Sequence, residues 1–315
     1  MRSNIIIKGH GQVGMFVAVG GKTGDDNIMT SPDGITWTVR TPSSDTYWRS
    51  VCWSPELSLF CAVAEPPGDD SVMTSPDGVT WTVRTPSSDS VWRDVCWSSE
   101  LSLFVAVARS GVESVMTSPD GITWTVRTPS SDSNWFGVCW APELSLFVAV
   151  ATDGDGIMTS PDGITWTART PSSDSDWQDI CWSPELTLFV VVSPFGTDDV
   201  MTSPDGINWT ARTASSSNTY WRSVCWSPEL SLFCAVANPP GDDSVMTSPD
   251  GVTWTARTPS SASYWHSVCW SSELSLFVAV AYAGDDSIMT SPDGITWTAR
   301  TPSSDSGWCG ICWAA

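Results

Sequence analysis

The chain has 315 residues and carries 35 Asp and Glu against 14 Lys and Arg, a formal net charge of −21. Such a charge repels phosphate, so nucleic acids and anionic membrane surfaces are excluded as expected partners. A hydrophobic fraction of 41% that includes 21 Trp provides for a packed core rather than disorder.

The first ten residues hold one short apolar run, Ile5 to Ile7, too brief for the centre of a signal peptide. No apolar run approaches the roughly 20 residues of a membrane span. The expectation is a chain with no secretion signal and no membrane insertion, made in the cytoplasm and open to incorporation into a virion or an extracellular assembly.

From Met15 the chain repeats. Ser-Pro-Asp-Gly begins at Ser31, Ser75, Ser118, Ser160, Ser203, Ser248 and Ser291, at spacings of 44, 43, 42, 43, 45 and 43 residues. Within a unit, Trp48 to Trp53 is rich in aromatic and β-branched residues and reads as a strand. Ser54-Pro-Glu makes a turn. Leu57 to Ala64 is continuously apolar, as expected of a strand covered on both faces. A loop, Met-Thr-Ser and the Ser-Pro-Asp-Gly turn follow. Ile35, Trp37 and Val39 then alternate with polar residues, the period of a half-covered strand. Four strands in about 43 residues is the content of a propeller blade. The predicted architecture is an all-β, seven-bladed β-propeller of four-stranded antiparallel blades, with residues 1–11 as an extension and 12–315 as one domain.

The C-terminal Trp308 to Trp313 is only the first strand of a unit, and Met15 onward supplies the remainder. One blade is therefore expected to join both ends and shut the ring. Asn4-Ile-Ile-Ile-Lys is a competitor for that first-strand position; its success would free the C-terminal strand for a neighbouring molecule.

Ser-Pro-Asp-Gly-Ile-Thr-Trp resembles the Asp-box (BNR repeat) of sialidase-like propellers, though one residue shorter between Asp and Gly. The resemblance implies structural roles for Asp33, Asp77, Asp120, Asp162, Asp205, Asp250 and Asp293, for Ser31 and for Trp37 and its counterparts. It also implies a repetitive, lectin-like or phage or viral member rather than an enzyme. The enzymes of that family carry an arginine cluster, a Tyr–Glu pair and an acid Asp. Here the repeated arginines, Arg40, Arg84, Arg127, Arg169, Arg212, Arg257 and Arg300, fall on the outermost strand, and no Tyr has a partnered Glu.

Other candidate chemistry reads as structure. The repeated acids Glu56 and Asp33 sit at turns, and neither His10 nor His266 belongs to an assembled triad. Cys52, Cys96, Cys139, Cys181, Cys225, Cys269 and Cys312 read as small buried hydrophobes, with Cys61, Cys234 and Cys309 as extras. Cys52 with Cys61, and Cys225 with Cys234, could face each other across a hairpin. The loops at Gly68-Asp-Asp, Asp198-Asp, Gly241-Asp-Asp and Gly284-Asp-Asp read as solvated acidic loops rather than calcium sites. The sequon at Asn208 reads as part of a blade strand. No metal or other cofactor is expected.

The units differ from one another in two places: the loop after the second strand, and the residues around the first Trp. Connections alternate between the two ends of a ring, so both lie on one face, a variable surface on a repeated frame. The candidate ligand-binding residues are Tyr47, Arg49, Arg93, Phe136, Gln178, Tyr220, Arg222, Tyr264 and His266. They point to multivalent, non-enzymatic recognition of a glycan or protein. The alternative is a structural or assembly protein, a decoration or fibre subunit, that self-associates through that face or an exchanged terminal strand.

Overall fold

The computed structural model describes residues 14–21, 27–44, 46–65, 70–109, 113–153, 156–195, 198–216, 220–238, 243–304 and 306–315. They form seven four-stranded antiparallel sheets, each with its strands in chain order apart from the blade that closes the ring. One blade runs Tyr47–Ser54, Leu59–Glu65, Val72–Ser75 and Thr82–Arg84. The first strands of neighbouring blades touch in a closed cycle, which places them around the axis and the fourth strands at the rim. In the closing blade Trp308–Ala314 pairs with Met15–Gly20, followed by Ile28–Ser31 and Thr38–Arg40. The C-terminal strand thus takes the innermost place. Asn4 to Lys8, His10 and the extension lie outside the described residues.

The repeat folds this way because both faces of its middle strands are apolar. In the cluster between the closing blade and its successor, Val17, Val19 and Ile28 of one sheet meet Trp48, Phe60, Ala62 and Met73 of the next, every one fully buried. The same cluster recurs at each seam. Truncating one such aromatic to Ala costs about 3–5 kcal/mol, from lost transfer energy and the cavity left behind. Among the described residues the indole N–H of Trp48, and of every counterpart but Trp265, has no hydrogen-bond partner; Trp265 Nε1 donates to the Ser261 carbonyl at 3.3 Å, and elsewhere packing alone holds the ring.

A second tryptophan ties blade to blade. Nε1 of Trp97 donates to Glu56 Oε2 at 2.7 Å, and the same link joins Trp140 to Glu100, Trp182 to Glu143, Trp226 to Glu185, Trp270 to Glu229 and Trp313 to Glu273. Only Trp53 lacks it among the seven, and its Nε1 is unpartnered. Its partner position falls where Trp308–Ala314 meets Met15–Gly20, and no turn connects those two strands.

The Ser-Pro-Asp-Gly segment is a longer turn than its letters imply. Asp33 Oδ1 accepts from the backbone N–H of Ile35 at 2.8 Å and of Thr36 at 2.7 Å, and from Ser31 Oγ at 3.0 Å. Asp77, Asp120, Asp162, Asp205, Asp250 and Asp293 repeat the pattern. Gly34 sits at φ 71°, where a side chain is strained, and a Cβ there would meet Leu276 Cδ2 of the preceding blade at 2.8 Å and push that methyl aside.

This turn corrects two expectations. Ile35 is half exposed rather than on the covered side, because Asp33 holds its N–H in the turn and the strand starts only at Thr38. Asn208 likewise sits in the turn, donating from Nδ2 to Asp205 Oδ2 at 2.7 Å, not in a strand. At the other turn the strand starts at Leu59 instead of Leu57. Leu57 donates its N–H to Ser54 Oγ, and Ser58 adopts φ 47° to close the reversal. Cys52 stands opposite Cys61 and Cys225 opposite Cys234, and all ten cysteines are free thiols.

Candidate functional site

The site grows out of an irregularity in the first strand. In the blade that begins at Tyr47, Trp48 pairs with Ala64 and Ser50 with Val63, which leaves Arg49 without a partner in the ladder. The same bulge leaves Arg93, Phe136, Arg222, His266 and Cys309 unpaired. A bulge re-aims the extra side chain and bends the strand. Here it takes that residue out of the seam between blades and turns it toward the ring axis, where six bulges converge on one funnel-shaped cavity of about 380 Å³.

Arg49, Arg93, Phe136, Gln178, Arg222, Tyr264 and His266, candidates from the comparison of units, all line this cavity. Tyr47 and Tyr220 do not. Tyr47 opens its strand opposite Glu65, and Tyr220 packs on Phe195 with ring centroids 4.7 Å apart. The sequence reading missed two tiers. Arg109, Asn238 and Tyr282, each the first residue after a Phe-x-Ala-Val-Ala run, line the mouth; Asp94, the residue after the Arg93 bulge, and Asp179, the residue after Gln178, lie one step further along the strands. Both tiers vary between units, which is the signal that could have found them.

Charge is unevenly placed. The eleven described arginines form two sets. Seven lie on the outer strands and donate from Nε to a Thr Oγ1 at 2.9 or 3.0 Å. The other four, Arg49, Arg93, Arg109 and Arg222, all line the funnel. Arg49 Nη2 and Arg93 Nη1 approach the same oxygen, Glu65 Oε1, at 2.8 and 2.6 Å. Both arginines thus share one carboxylate oxygen, neither is met by a two-oxygen fork, and both Arg Nε atoms are buried without a partner. Among the described residues Arg222 hydrogen-bonds neutral groups: Nη1 donates to Gln178 Oε1 at 3.1 Å, and Asn238, with its amide oxygen turned inward, accepts from Nε at 2.8 Å. Burial lowers the affinity of Arg93 for its proton to a pKa of about 10, and it remains charged at pH 7. The Arg93 guanidinium stacks 4.8 Å from the Phe136 ring centroid.

The carboxylates below face the backbone. Asp94 accepts from Ser50 Oγ at 2.6 Å and from the N–H of Val138 in the next blade at 2.9 Å; Asp179 accepts from Val224 N–H of the next blade at 2.9 Å. Asp94 therefore clips three blades together, and Asp179 joins its own blade to the next. Burial raises the pKa of both, and burial plus the Asp94 charge brings Asp179 to about 7. His266 is held neutral, its pKa lowered to about 3 by burial and then by Arg222 and Arg49. Its Nδ1 lies 2.8 Å from the Cys309 carbonyl oxygen, which can only accept, so Nδ1 carries the hydrogen and Nε2 is left as an acceptor. Among the described residues no group of three or more His, Cys, Asp or Glu is placed to hold a metal ion. The arrangement suits binding of a polar, negatively charged group between guanidinium and aromatic walls.

No protein-family model matches the chain, and no curated protein matches it. Solved structures do match in fold. Selenomethionine-substituted virginiamycin B lyase from Staphylococcus aureus superposes with a TM-score of 0.71 at 12% identity, covering 86% of this chain and 89% of that one. A catalytically inactive form of that lyase with quinupristin gives 0.72 at 11%, covering 86% and 92%. A putative 6-phosphogluconolactonase from Bacteroides fragilis gives 0.70 at 12%, covering 96% and 98%. At these identities the likeness defines a seven-bladed β-propeller. It corrects the expected kinship with Asp-box sialidase-like propellers, because the similar structures named above are a lyase and a putative lactonase. The physical reason lies in the motif. Every hydrogen bond of the Ser-Pro-Asp-Gly turn closes within a few residues, so any blade can use it, and it carries no lineage.

Proposed function

We propose that this protein is a non-enzymatic binding module that takes its ligand, the end of a glycan or of a protein segment, into the axial funnel of the variable face. One observation supports this most. Every described arginine outside the outer-strand series lines that one cavity in a chain of net charge −21. Because six different blades contribute one bulge residue each, the site is a single asymmetric one rather than a set of repeated weak sites. Phe136, Tyr264 and Tyr282 offer ring faces for stacking, and the guanidiniums fix orientation. Electrostatic focusing within a concave cationic mouth favours capture of an anionic end despite the acidic remainder.

The test is a broad glycan array and a proteome-derived peptide array probed with the purified ring, alongside Arg222→Met and Phe136→Ala. Saturable binding that both variants weaken supports the reading. Blank arrays, or turnover of quinupristin or 6-phosphogluconolactone by the protein, overturn it. A second reading, assembly of copies into a larger structure, draws on the opposite face. There Ile35, Val79, Ile122, Ile164, Ile207, Val252 and Ile295 stand 41–51% exposed, one per blade. Concentration-dependent association in light scattering, lost when these residues become Thr, would move the choice to it.

A further inference from the structure

We infer that the group recognised in the funnel is an oxyanion, a carboxylate or a phosphate, which binds between Arg49 and Arg93 by displacing the carboxylate of Glu65, so that Glu65 acts as a competitor built into the site. The inference rests on the binding-module reading and names the chemistry of its ligand.

Glu65 is singular among its counterparts. The position five residues after the second-strand Phe is Gly21, Arg109, Thr152, Pro194, Asn238 or Tyr282 in the other blades, so only one blade places a negative charge there. That charge is applied to two guanidiniums through one oxygen, with the Arg49, Arg93 and Glu65 side chains only 18%, 12% and 20% exposed. An arginine presents its donors as a planar fork that a carboxylate or phosphate meets with two parallel bonds. Glu65 gives neither arginine that geometry, and both Nε–H groups remain buried and unmatched. Buried donors without acceptors are costly, and an oxygen supplied from outside would remove that cost.

The charge count points the same way. Four arginines stand against Glu65, Asp94 and Asp179, 4 − 3 = 1 positive charge in excess even with every carboxylate ionised. Asp94 and Asp179 are not paired with the arginines. Their oxygens are taken by Ser50, Val95 and Val138, and by Ile180 and Val224, and among the described residues neither forms an ion pair with an arginine. Arg222, with only Gln178 and Asn238 against it among the described residues, is a third cation ready for a second oxygen of the same ligand.

The experiment uses the full chain and two probes, inorganic phosphate and glucuronate, titrated calorimetrically into wild type, Glu65→Gln and Arg93→Met. Removing an internal occupant removes its tax on apparent affinity, so Glu65→Gln is expected to bind both probes about tenfold more tightly than wild type. Arg93→Met is expected to bind neither. Melting followed by tryptophan fluorescence gives a second readout if Glu65→Gln folds poorly. Left without its counter-ion the variant should melt earlier than wild type, and phosphate should restore it by more than it raises wild type. Equal or weaker probe binding by Glu65→Gln, with no preferential rescue, overturns the inference. If an array ligand then still binds in a manner that needs Arg222 and Phe136 but ignores phosphate, the binding-module reading stands and only its oxyanion chemistry fails. If no ligand binds either protein, both fail.

Discussion

Replacing Asp179 by Asn should change how the stability of the ring depends on pH. Asp179 is buried beside Asp94, and these two causes, in that order, raise its pKa from the ordinary 3.8 to about 7. A carboxyl group whose folded pKa is raised binds a proton more tightly folded than unfolded. Its contribution to stability is therefore greatest below the unfolded value and declines as pH rises from about 4 to about 7. Between pH 4.5 and pH 8 the two titration curves imply a loss of about 3 kcal/mol from this one group. Asn cannot titrate, so the variant lacks that decline. Any cost of losing one acceptor for Val224 or Ile180 is the same at both pH values and cancels. His266 works in the opposite direction. Its folded pKa near 3 against the ordinary 6.5 makes stability rise with pH across that interval, so the wild-type profile alone can look flat. The assay is urea unfolding followed by tryptophan fluorescence at both pH values for wild type and Asp179→Asn. The variant should gain about 3 kcal/mol on wild type at pH 8 relative to pH 4.5. A difference that stays constant within about 0.5 kcal/mol, the usual size of a neutral surface change, would refute the burial and coupling argued for this site.

Three further outcomes follow from the fold. Thr187 holds φ 49° in a turn where its counterparts are Ser, and a β-branched residue is poorly suited to that region; Thr187→Gly should stabilise the protein by about 1 kcal/mol, read as a higher urea midpoint. Trp308→Ala and Trp221→Ala each empty a fully buried site and should cost about 3–5 kcal/mol. Only the former, by loosening the strand that shuts the ring, should also expose Met15–Gly20 to rapid amide exchange, measured by mass spectrometry. The seven turn aspartates keep their carboxyls below the ordinary value, against burial, through the N–H groups two and three residues on; Asp205 falls to about 2. Their stabilisation is present above the ordinary carboxylate pKa and fades as pH falls toward 2, and Asp205→Asn should flatten that acid limb by a small, salt-insensitive amount in melting curves.

The architecture was legible because each apolar position recurs seven times, so the period of Phe60 and its counterparts could be checked against itself. The closing strand was legible because Trp308 to Trp313 lacks its own second strand. What escaped was geometry that depends on one residue more or less. Leu57, Ile35 and Asn208 look like strand residues, and turns stabilised by Ser54, Asp33 and Asp205 claim them. Arg49 and Arg222 were found by comparing units, but the bulge that aims them inward has no letter of its own. Asp94 and Asp179 were overlooked because they sit beside hydrophobic strand residues, where an acid reads as solvent-facing. The motif at Ser31 misled about kinship for a related reason: a turn is too local to record descent.

The bulge has a consequence for how such a chain can change. The residue it displaces belongs neither to the backbone ladder nor to the packed seam, so the instructions for folding and those for recognition are written on different positions. Read around the ring, the displaced residues and Gln178 spell Arg, Arg, Phe, Gln, Arg, His, Cys. That seven-letter field can be rewritten one character at a time while every seam keeps its Trp, Phe and Met. A lineage that copies whole blades, as the identical stretches Tyr47 to Ala64 and Tyr220 to Ala237 record, inherits a sound scaffold at once and can diversify its specificity afterwards.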